Sequence, residues 1–487
     1  MVVQVIFGLV TAVPSKYYVH IGLTTVALVV LYAFIQGRTT NRERDLHARV
    51  IILTGGFTPL GLVLLNALAS RGAHIIALSP YDLEHPYPSL LIPLLRSTTN
   101  NEHIYADHVD LADPKSIRDF CTKFLTGQDT RLDAVVFAHE YHTIGSFFRR
   151  GGAEAYAQTR EVASLATFLI MTLLLPALLV EPAERDIRIV SLVNPFYAAA
   201  APVFAAQLAA ASSEAPASSP ILLSEGQRAL RTAILTRHLQ RVLDSLPNQS
   251  PEVQGPKGQQ SSQGAKITPQ PSNILTVSAC PGISRKDTIS PLLGADRDAP
   301  EGLSKLGFLI YIILFPFLTL LTKSPTSSLQ TVLHVLFLPS PLKRARAMLD
   351  AALNPDSDMQ NKEAKKEQGS EEEDGDVPRM VRIINEEVLK PGALYRECAV
   401  VQQPVPGLPA DLQDKDGKAE KPRTAKKDGP VETAFPDDGE FGGEAVGRAV
   451  WEWYEERLKV WEAKAGVNGV DAEEQSGQSA AAGPPPS

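Results

Sequence analysis

The stretch RVIILTGGFTPLGLVLLNALASRGAHIIALS, residues 49–79, decides the fold of this chain. A first apolar run at residues 50–53 ends in a Thr-Gly-Gly turn, and a second apolar run covers residues 75–78. Between them, apolar residues recur at helical spacing over residues 60–68, which gives the order strand, glycine turn, helix, strand. Glycine lets backbone N–H groups approach a phosphate, and a helix N-terminus favours its negative charge. The stretch therefore predicts the first half of a dinucleotide-binding βαβ unit.

Strands and helices continue to alternate beyond this stretch. Apolar runs predict strands at residues 103–109, 132–138, 187–193 and 274–280, and helical spacing predicts helices at 116–125 and 229–246. The strongly apolar segment 161–179 lies between two strands, so we interpret it as a buried core helix rather than a membrane span. Segments 198–220 and 247–271 have loop compositions and are expected to be flexible insertions. Residues 49–350 are thus predicted to form an α/β domain, a Rossmann-like doubly wound parallel sheet.

The first 48 residues predict a membrane anchor with its flanks. Residues 19–36 contain no acidic residue, lysine or arginine, and this length is at the short end of what spans a hydrocarbon core of about 30 Å. Arginines follow at positions 38, 42, 44 and 49, which keeps the C-terminal side in the cytosol. A signal peptide fits less well because no small-residue cleavage site follows, and a buried or interfacial helix is the alternative.

A second hydrophobic stretch covers residues 303–322. It is broken by Pro316 and carries Lys305 near its start. A membrane span here would place the next predicted helix, residues 329–337, on the far side of the bilayer from the sheet. We therefore expect an interfacial or re-entrant helix that presses the domain onto the bilayer, with membrane lipid as a partner.

The C-terminal third differs in composition from the domain. Segments 354–377, 404–440 and 464–487 are rich in charged, Pro, Gly or small residues and poor in aromatics, and we predict that they are disordered. Residues 380–403 are expected to add a last helix and strand, and 445–463 an amphipathic Trp-rich helix. That helix and the acidic tails are candidate sites for protein partners. The net charge of −8 comes largely from residues beyond 350 and argues against nucleic-acid binding.

Cysteine and histidine usage limits the chemistry further. Cys121, Cys280 and Cys398 lie far apart, so neither a disulfide framework nor a C-x-x-C metal site is predicted, and a reducing, cytosol-facing compartment fits best. His139 and His142 flank the acid in HEYH, but three further ligands are not in evidence. We interpret HEYH as polar residues on a loop after a buried strand and predict no metal site.

The order of these motifs resembles the short-chain dehydrogenase/reductase family, in particular its membrane-associated retinol-dehydrogenase-like branch. The match covers about 50–350, with a weaker echo at 392–395. Residues 54–61 stand where the family has T-G-x-x-x-G-x-G, Asp110-Leu111 begins its D-L-x(4)-S-[IV]-R element, and Pro281-Gly282 stands at its P-G motif. The resemblance implies that the NAD or NADP cofactor is bound by Thr54, Gly55, Gly56, Leu60, Gly61, Asp110, Leu111, Pro281 and Gly282.

The chain departs from the family where the family carries its catalytic residues. The middle glycine of the glycine motif is Pro59, which removes one N–H donor, and N-N-A-G is replaced by residues 137–140, Phe-Ala-His-Glu. The positions of the catalytic Asn, Ser, Tyr and Lys fall on Ala163, Asn194, Glu225 and Ala229, or on Ser224 and Arg228 for the last two if the register shifts by one. After the P-G motif, Lys286 replaces a Thr, and Thr288 follows. No residue is therefore assigned as catalytic.

These departures leave two functions open. Hydride transfer to a carbonyl needs a proton donor, which in the family is a Tyr with its pKa lowered by a Lys. Tyr141, His142 and Tyr197 are the candidates for a relocated donor. The chain is then either a degenerate, nucleotide-holding relative or an active oxidoreductase on a lipid-type carbonyl or alcohol, at the endoplasmic reticulum or lipid droplets. Residues 79–81, Ser-Pro-Tyr, show neither the acid typical of NAD preference nor the base typical of NADP preference.

Overall fold

A computed structural model describes residues 18–127, 131–148, 153–182, 185–211, 220–246, 272–296, 303–353, 386–407 and 439–466. Within them, eight strands form one sheet in the order β3-β2-β1-β4-β5-β6-β7-β8, and only the β7–β8 pair is antiparallel. The strands are β1 (Val50–Thr54), β2 (His74–Ser79), β3 (Ile104–His108), β4 (Ala134–Phe137), β5 (Ile187–Leu192), β6 (Ile274–Cys280), β7 (Leu394–Arg396) and β8 (Ala399–Val401). The predicted Rossmann-like parallel sheet is confirmed.

The chain reverses its direction of travel across the sheet after β3. Strand β1 pairs on one side with β2 and on the other with β4, so Ile52 lies beside both Ile76 and Val135. In open α/β sheets, ligands bind in the crevice beyond the carboxyl ends of the strands at such a switch point. The glycine turn that follows β1 and the short helical turn His139–His142 that follows β4 both lie at this crevice.

Helices cover both faces of the sheet. They are α1 (Tyr18–Gln36), α2 (Pro59–Ala69), α3 (Pro86–Thr99), α4 (Pro114–Thr126), α5 (Ala153–Val180), α6 (Phe204–Ala211), α7 (Ile221–Ser245), α8 (Lys305–Leu321), α9 (Pro325–Phe337), α10 (Pro341–Leu353) and α11 (Gly443–Lys464). One core layer joins the sheet to α2 and α9, and the opposite layer joins it to α4, α5 and α7. Single helical turns cover Tyr197–Ala200 and Ser290–Leu292, with a π-helical turn at Arg285–Ile289.

Two described helices are long and apolar enough to cross a membrane, and their burial separates them. In α5, Ala166, Leu169 and Ile170 are buried against the sheet, as expected of a core helix. In α1, by contrast, no residue is buried and nearly all apolar side chains are exposed. An exposed apolar helix favours an apolar environment, and the membrane anchor stays a prediction.

Helix α8 is fixed to the domain at both ends. Before it, Ser304 N donates to Gly294 O at 2.8 Å, and after it Lys323 N donates to Ile283 O at 2.9 Å. Its 17 residues, about 25 Å of helix, therefore lie along the domain with a large apolar surface exposed. The end of α1 reaches the same place, because Gln36 Oε1 accepts from Ser324 N at 3.0 Å. This geometry fits an interfacial helix, and its contact with a bilayer stays a prediction.

Two expected segments are wrong in part. The segment 198–220 is predicted to be a flexible insertion, but its described residues 198–211 form α6 and the turns before it, because Ala200, Ala201 and Phe204 join an apolar cluster with α7. Residues 386–403 add two strands rather than a helix and a strand, and Val405 is buried although 404–440 was predicted to be disordered. The segments 247–271, 354–385, 408–438 and 467–487 lie outside the described residues.

Helix α11 extends the predicted amphipathic segment by two residues at its start and one at its end, and it packs on the domain. Its Tyr454 stacks on Phe168 of α5 and its Trp451 meets the same ring edge to face, with ring centroids 5.1 Å apart in both cases. Trp453 holds the Arg231 guanidinium of α7 at 3.6 Å from its ring centroid. The aromatic residues thus serve intramolecular packing, and a protein partner for this helix stays a prediction.

Candidate functional site

The glycine turn after β1 is built so tightly that side chains cannot enter it. Gly55 has a φ of +67°, and a Cβ added there would lie 2.6 Å from His139 N. A Cβ on Gly61 would lie 2.0 Å from Gly55 O, because the first turn of α2 approaches the glycine turn directly. Gly56 is less constrained, with the Leu65 side chain at 3.2 Å. Protein backbone, rather than space left for a ligand, therefore requires glycine at positions 55 and 61.

The N-terminus of α2 already holds an anionic group. Thr58 caps the helix: its Oγ1 accepts from Gly61 N at 3.1 Å and donates to Gly55 O at 2.8 Å. Pro59 has no N–H, so the next free donor is Leu60 N, which donates to Asp287 Oδ1 at 3.1 Å. The positive end of a helix favours such a carboxylate for the same reason that it favours a phosphate.

Asp287 is fully buried and held from several sides. Ser284 Oγ donates to its Oδ2 at 2.9 Å and accepts from its backbone N at 2.9 Å. His142 lies between two acids, with Nδ1 3.5 Å from Asp287 Oδ1 and Nε2 3.1 Å from Asp296 Oδ2. Burial disfavours the imidazolium, but hydrogen bonds and charges from both aspartates outweigh it and raise the pKa of His142 to about 9.

Sequence reasoning missed Asp287, although a local signal was present. The P-G motif is followed by Ser284 and, three residues later, by Asp287, which is the spacing of a helix cap with an acid in the first turn. What the spacing does not reveal is the long-range partner. The contact between Leu60 and Asp287 joins residues that are 227 positions apart.

Tyr141 fills the crevice between the glycine turn and the P-G motif. Its hydroxyl donates to Gly282 O at 2.8 Å and accepts from Thr288 Oγ1 at 3.3 Å. Gly282 adopts a φ of +99°, and Pro281 is buried beside it. Burial raises the pKa of Tyr141, which makes the phenol a weaker acid than a free tyrosine. The hydroxyl thus serves to join two loops and is poorly suited to donate a proton.

The residues at the expected catalytic helix start form a buried ion-pair network. Glu225 accepts from Arg160 Nε and from an Arg228 terminal nitrogen, both at 2.8 Å, and from Gly145 N at 3.1 Å. Arg228 also donates to the carbonyl oxygens of Glu140, at 3.2 Å, and Thr143. The two registers left open are Glu225 with Ala229 and Ser224 with Arg228. The structure pairs Glu225 with Arg228, which is one residue from each register, and Ala229 lies in the apolar core.

The residues at the other two expected catalytic positions, Asn194 and Ala163, make structural contacts. Asn194 Oδ1 accepts from Phe196 N at 3.1 Å, and its Nδ2 donates to Glu225 O at 3.2 Å. Ala163 contributes its carbonyl oxygen, 2.9 Å from His139 Nε2. Tyr197 is buried next to Arg396, and burial raises its pKa, so this tyrosine is no better placed as a proton donor.

The HEYH segment follows a buried strand as expected, but it is a single helical turn rather than a loop, and His139, Glu140 and Tyr141 are buried. His139 Nδ1 lies 2.7 Å from Thr54 Oγ1, and burial lowers the pKa of His139. Glu140 accepts from the hydroxyls of Thr167 at 2.5 Å and Thr232 at 2.9 Å. The described part of the chain contains no group of three or more His, Cys, Asp or Glu that could hold a metal ion. Glycine at position 55 admits this segment, and it becomes part of the core.

The remaining candidate residues lie further along the sheet edge. Asp110 and Leu111 follow β3, two strands from β1; Asp110 Oδ1 accepts from Ala112 N at 2.8 Å and caps a turn before α4. At the end of β2, Ser79 Oγ accepts from Tyr81 N at 3.0 Å. The structure thus unites Thr54–Gly61 with Pro281–Gly282, and it leaves Asp110 and Leu111 at a separate strand end.

Comparisons with known proteins give a consistent set of relatives. No family model matches the chain. Over 322 residues it is 24% identical to the uncharacterized oxidoreductase pbr1 of Schizosaccharomyces pombe, covering 66% of this chain and 77% of that protein. It is 29% identical to human retinol dehydrogenase 13 over 174 residues, 36% of this chain and half of that protein's length. A solved short-chain dehydrogenase from Pseudomonas syringae covers 61% of this chain and 92% of its own, at 14% identity and a TM-score of 0.38.

Proposed function

Since the chain is a divergent member of the short-chain dehydrogenase/reductase family, we propose that it is a membrane-anchored protein that binds NAD or NADP but lacks the family's usual proton donor. The relatives that share its sequence are described as oxidoreductases, which supports a nicotinamide cofactor. The glycine turn and the N-terminus of α2 support the same site, because Leu60 N at that N-terminus donates a hydrogen bond to an anionic oxygen of Asp287.

The observation that carries the loss of catalysis is the network around Glu225. Glu225 and Arg228, at the start of α7, are buried and paired with each other, and Glu225 is also paired with Arg160. A guanidinium stays protonated at any ordinary pH, so Arg228 cannot shuttle a proton, and Glu225 is fixed as the acceptor of three donors. A bound nicotinamide would supply hydride chemistry, but the positions expected to carry the tyrosine and lysine supply no matching acid, and the candidate donor His142 is held between Asp287 and Asp296.

The membrane part of the proposal is supported by α1 and α8. The apolar side chains of α1 are exposed throughout, and α8 exposes Ile313 and Phe317 by more than 60% each. The two helices meet at Gln36, whose amide contacts the residues just after α8. A membrane covering both helices would hold the domain against its cytosolic face. The membrane would be that of the endoplasmic reticulum or the surface of lipid droplets, and a lipid-like small molecule would be the ligand.

The experiment that tests the proposal uses the full chain purified in detergent micelles. We expect calorimetry or nucleotide fluorescence to detect NADPH or NADH binding, with no turnover of retinoids, sterol ketones or fatty aldehydes. No binding of either nucleotide at millimolar concentration, by this chain or by any of the site variants described below, would overturn the proposal. Turnover that survives Tyr197→Phe and disappears in Tyr141→Phe would instead establish the alternative, an active oxidoreductase with a relocated donor.

Membrane attachment has its own test. Deletion of residues 1–36 should leave the domain folded and only partly released from membranes, because α8 remains. The deletion stops before Thr40 in order to keep a contact between the segment after α1 and α9. In that contact Thr40 N donates to Gln330 Oε1 at 3.1 Å. Adding Phe317→Asp to the deletion should complete the release, as measured by flotation with liposomes. Full release by the deletion alone would show that α8 does not contact lipid.

A further inference from the structure

We propose that Asp287 is an internal anion that closes the cofactor site, so that a dinucleotide binds only after the turn Arg285–Ile289 moves away from α2. This inference rests on the proposed function, since it concerns how the same site is regulated. The closed arrangement is the one described above, in which Leu60 N, the first amide of α2 free to bind a phosphate, donates to Asp287 Oδ1 at 3.1 Å.

A phosphate and Asp287 cannot occupy this position together. The helix N-terminus offers few donors here, because Pro59 has none and Gly61 N donates to Thr58 Oγ1. A phosphate oxygen would therefore need the Leu60 N–H and would lie beside a buried carboxylate of the same charge. Like charges at contact distance in a buried site repel strongly. Binding must accordingly displace Asp287, and the affinity is lowered by the cost of that displacement.

The turn that carries Asp287 is a separate element with defined attachments. It is a single π-helical turn, a conformation that is rare and frequently found at functional sites. Inside the site it is held by Leu60, Tyr141 and His142. On the outside, the Arg285 guanidinium lies 4.8 Å from the centroid of the Phe315 ring of α8. The closed state is thus maintained by identifiable contacts, and α8 links it to the surface that we assign to the bilayer.

The alternative is that Asp287 only caps its own turn. Its backbone N and Oδ2 both contact Ser284, which is sufficient for a structural cap. A structural cap predicts weaker or unchanged nucleotide binding when the carboxylate is removed, since a loosened loop gains nothing for the ligand. An internal anion predicts the opposite sign, and the sign of the change separates the two.

The test compares the full chain with Asp287→Asn and Asp296→Asn in the same micelles. Asp287→Asn should bind NADPH or NADH at least tenfold more tightly. Asp296→Asn removes the other acid beside His142 but leaves the contact of Asp287 with Leu60, and it should change affinity less than threefold. Hydrogen exchange of the unmodified chain gives a second readout: adding nucleotide should increase exchange in residues 283–292, because the turn is displaced.

The outcomes distinguish this inference from the proposed function. Binding by the unmodified chain that is equal to or tighter than binding by Asp287→Asn would overturn the internal anion and leave the proposed function standing. Protection of residues 283–292 on adding nucleotide would do the same, even if the variant fails to fold. Absence of binding by every form of the chain would overturn the proposed function, and with it the inference that Asp287 closes the cofactor site.

Discussion

The glycine turn at residues 54–61 and the start of α7 at residues 224–229 are two places where the family keeps its machinery, and they differ in what this chain retains. The glycine turn matches the family at Gly55 and Gly61, and both positions are closed to a Cβ by the protein's own backbone. At the start of α7, where the resemblance places the family's tyrosine and lysine, the structure has a buried ion-pair network. The difference shows that a glycine match reports backbone geometry, whereas only side-chain positions report chemistry.

The largest expected effect comes from breaking the network at α7. Glu225→Gln removes the charge that pairs with Arg228 and Arg160, and the loss of one partner in a buried pair costs about 3–5 kcal/mol of unfolding free energy. The matched control is Glu161→Gln, whose carboxylate is 34% exposed and 3.9 Å from Arg231. Its loss should cost less than about 1 kcal/mol. Denaturant unfolding measures both, and a loss in Glu225→Gln as small as that expected of the control would mean that the α7 network does not stabilise the fold.

The next effect tests whether the glycines serve packing. Gly61→Ala places a Cβ 2.0 Å from Gly55 O, which the backbone must move to avoid, and overpacking of this kind costs about 3 kcal/mol. In Gly56→Ala the contact is the Leu65 side chain at 3.2 Å, which can shift, so the cost should be about 1 kcal/mol or less. Thermal melts without nucleotide provide the measurement. If Gly61→Ala melts like the unmodified chain, the glycine would be needed for a ligand instead.

The features that the sequence predicts divide in the same way, because it predicts backbone elements better than long-range side-chain contacts. The sequence locates β1, β2, β4, β5 and β6 because each is a short, mostly apolar run, as buried parallel strands usually are; β3, at the end of the strand order, is IYADH and is less apolar. Helix α3 was missed because it contains Pro86, Pro88 and Pro93, which read locally as a break. At the site, residues 54–61 and Pro281–Gly282 do converge. The roles of Asp287 and Glu225 depend on partners that are distant in sequence, and spacing along one chain does not encode those contacts.

The histidine between the two aspartates gives an effect of intermediate size, and it links the glycine turn to the P-G motif. The pKa of His142 is raised to about 9, above its ordinary value of about 6.5. The folded state therefore binds an extra proton between these values, so the stabilisation is complete below pH 6.5 and is lost as the pH rises through 9. His142→Gln should destabilise the chain by about 2 kcal/mol at pH 6 and by much less at pH 9.5. Unfolding free energy measured as a function of pH checks this. Parallel curves for the unmodified chain and His142→Gln would show that a charge on His142 does not stabilise the fold.

The smallest effect returns to an arginine–carboxylate pair, now at the surface. Arg448 and Glu444 form such a pair within α11, with a terminal nitrogen of Arg448 2.7 Å from Glu444 Oε1 and side chains that are 57% and 22% exposed. Water screens this pair, so a double-mutant cycle of Arg448→Gln and Glu444→Gln should give a coupling of about 0.5 kcal/mol. The chemistry is that of Glu225 and Arg228, and only burial differs. A coupling as large as the loss in Glu225→Gln would show that charge pairing alone, without burial, stabilises the α7 network, and the contrast between the two regions would then need another cause.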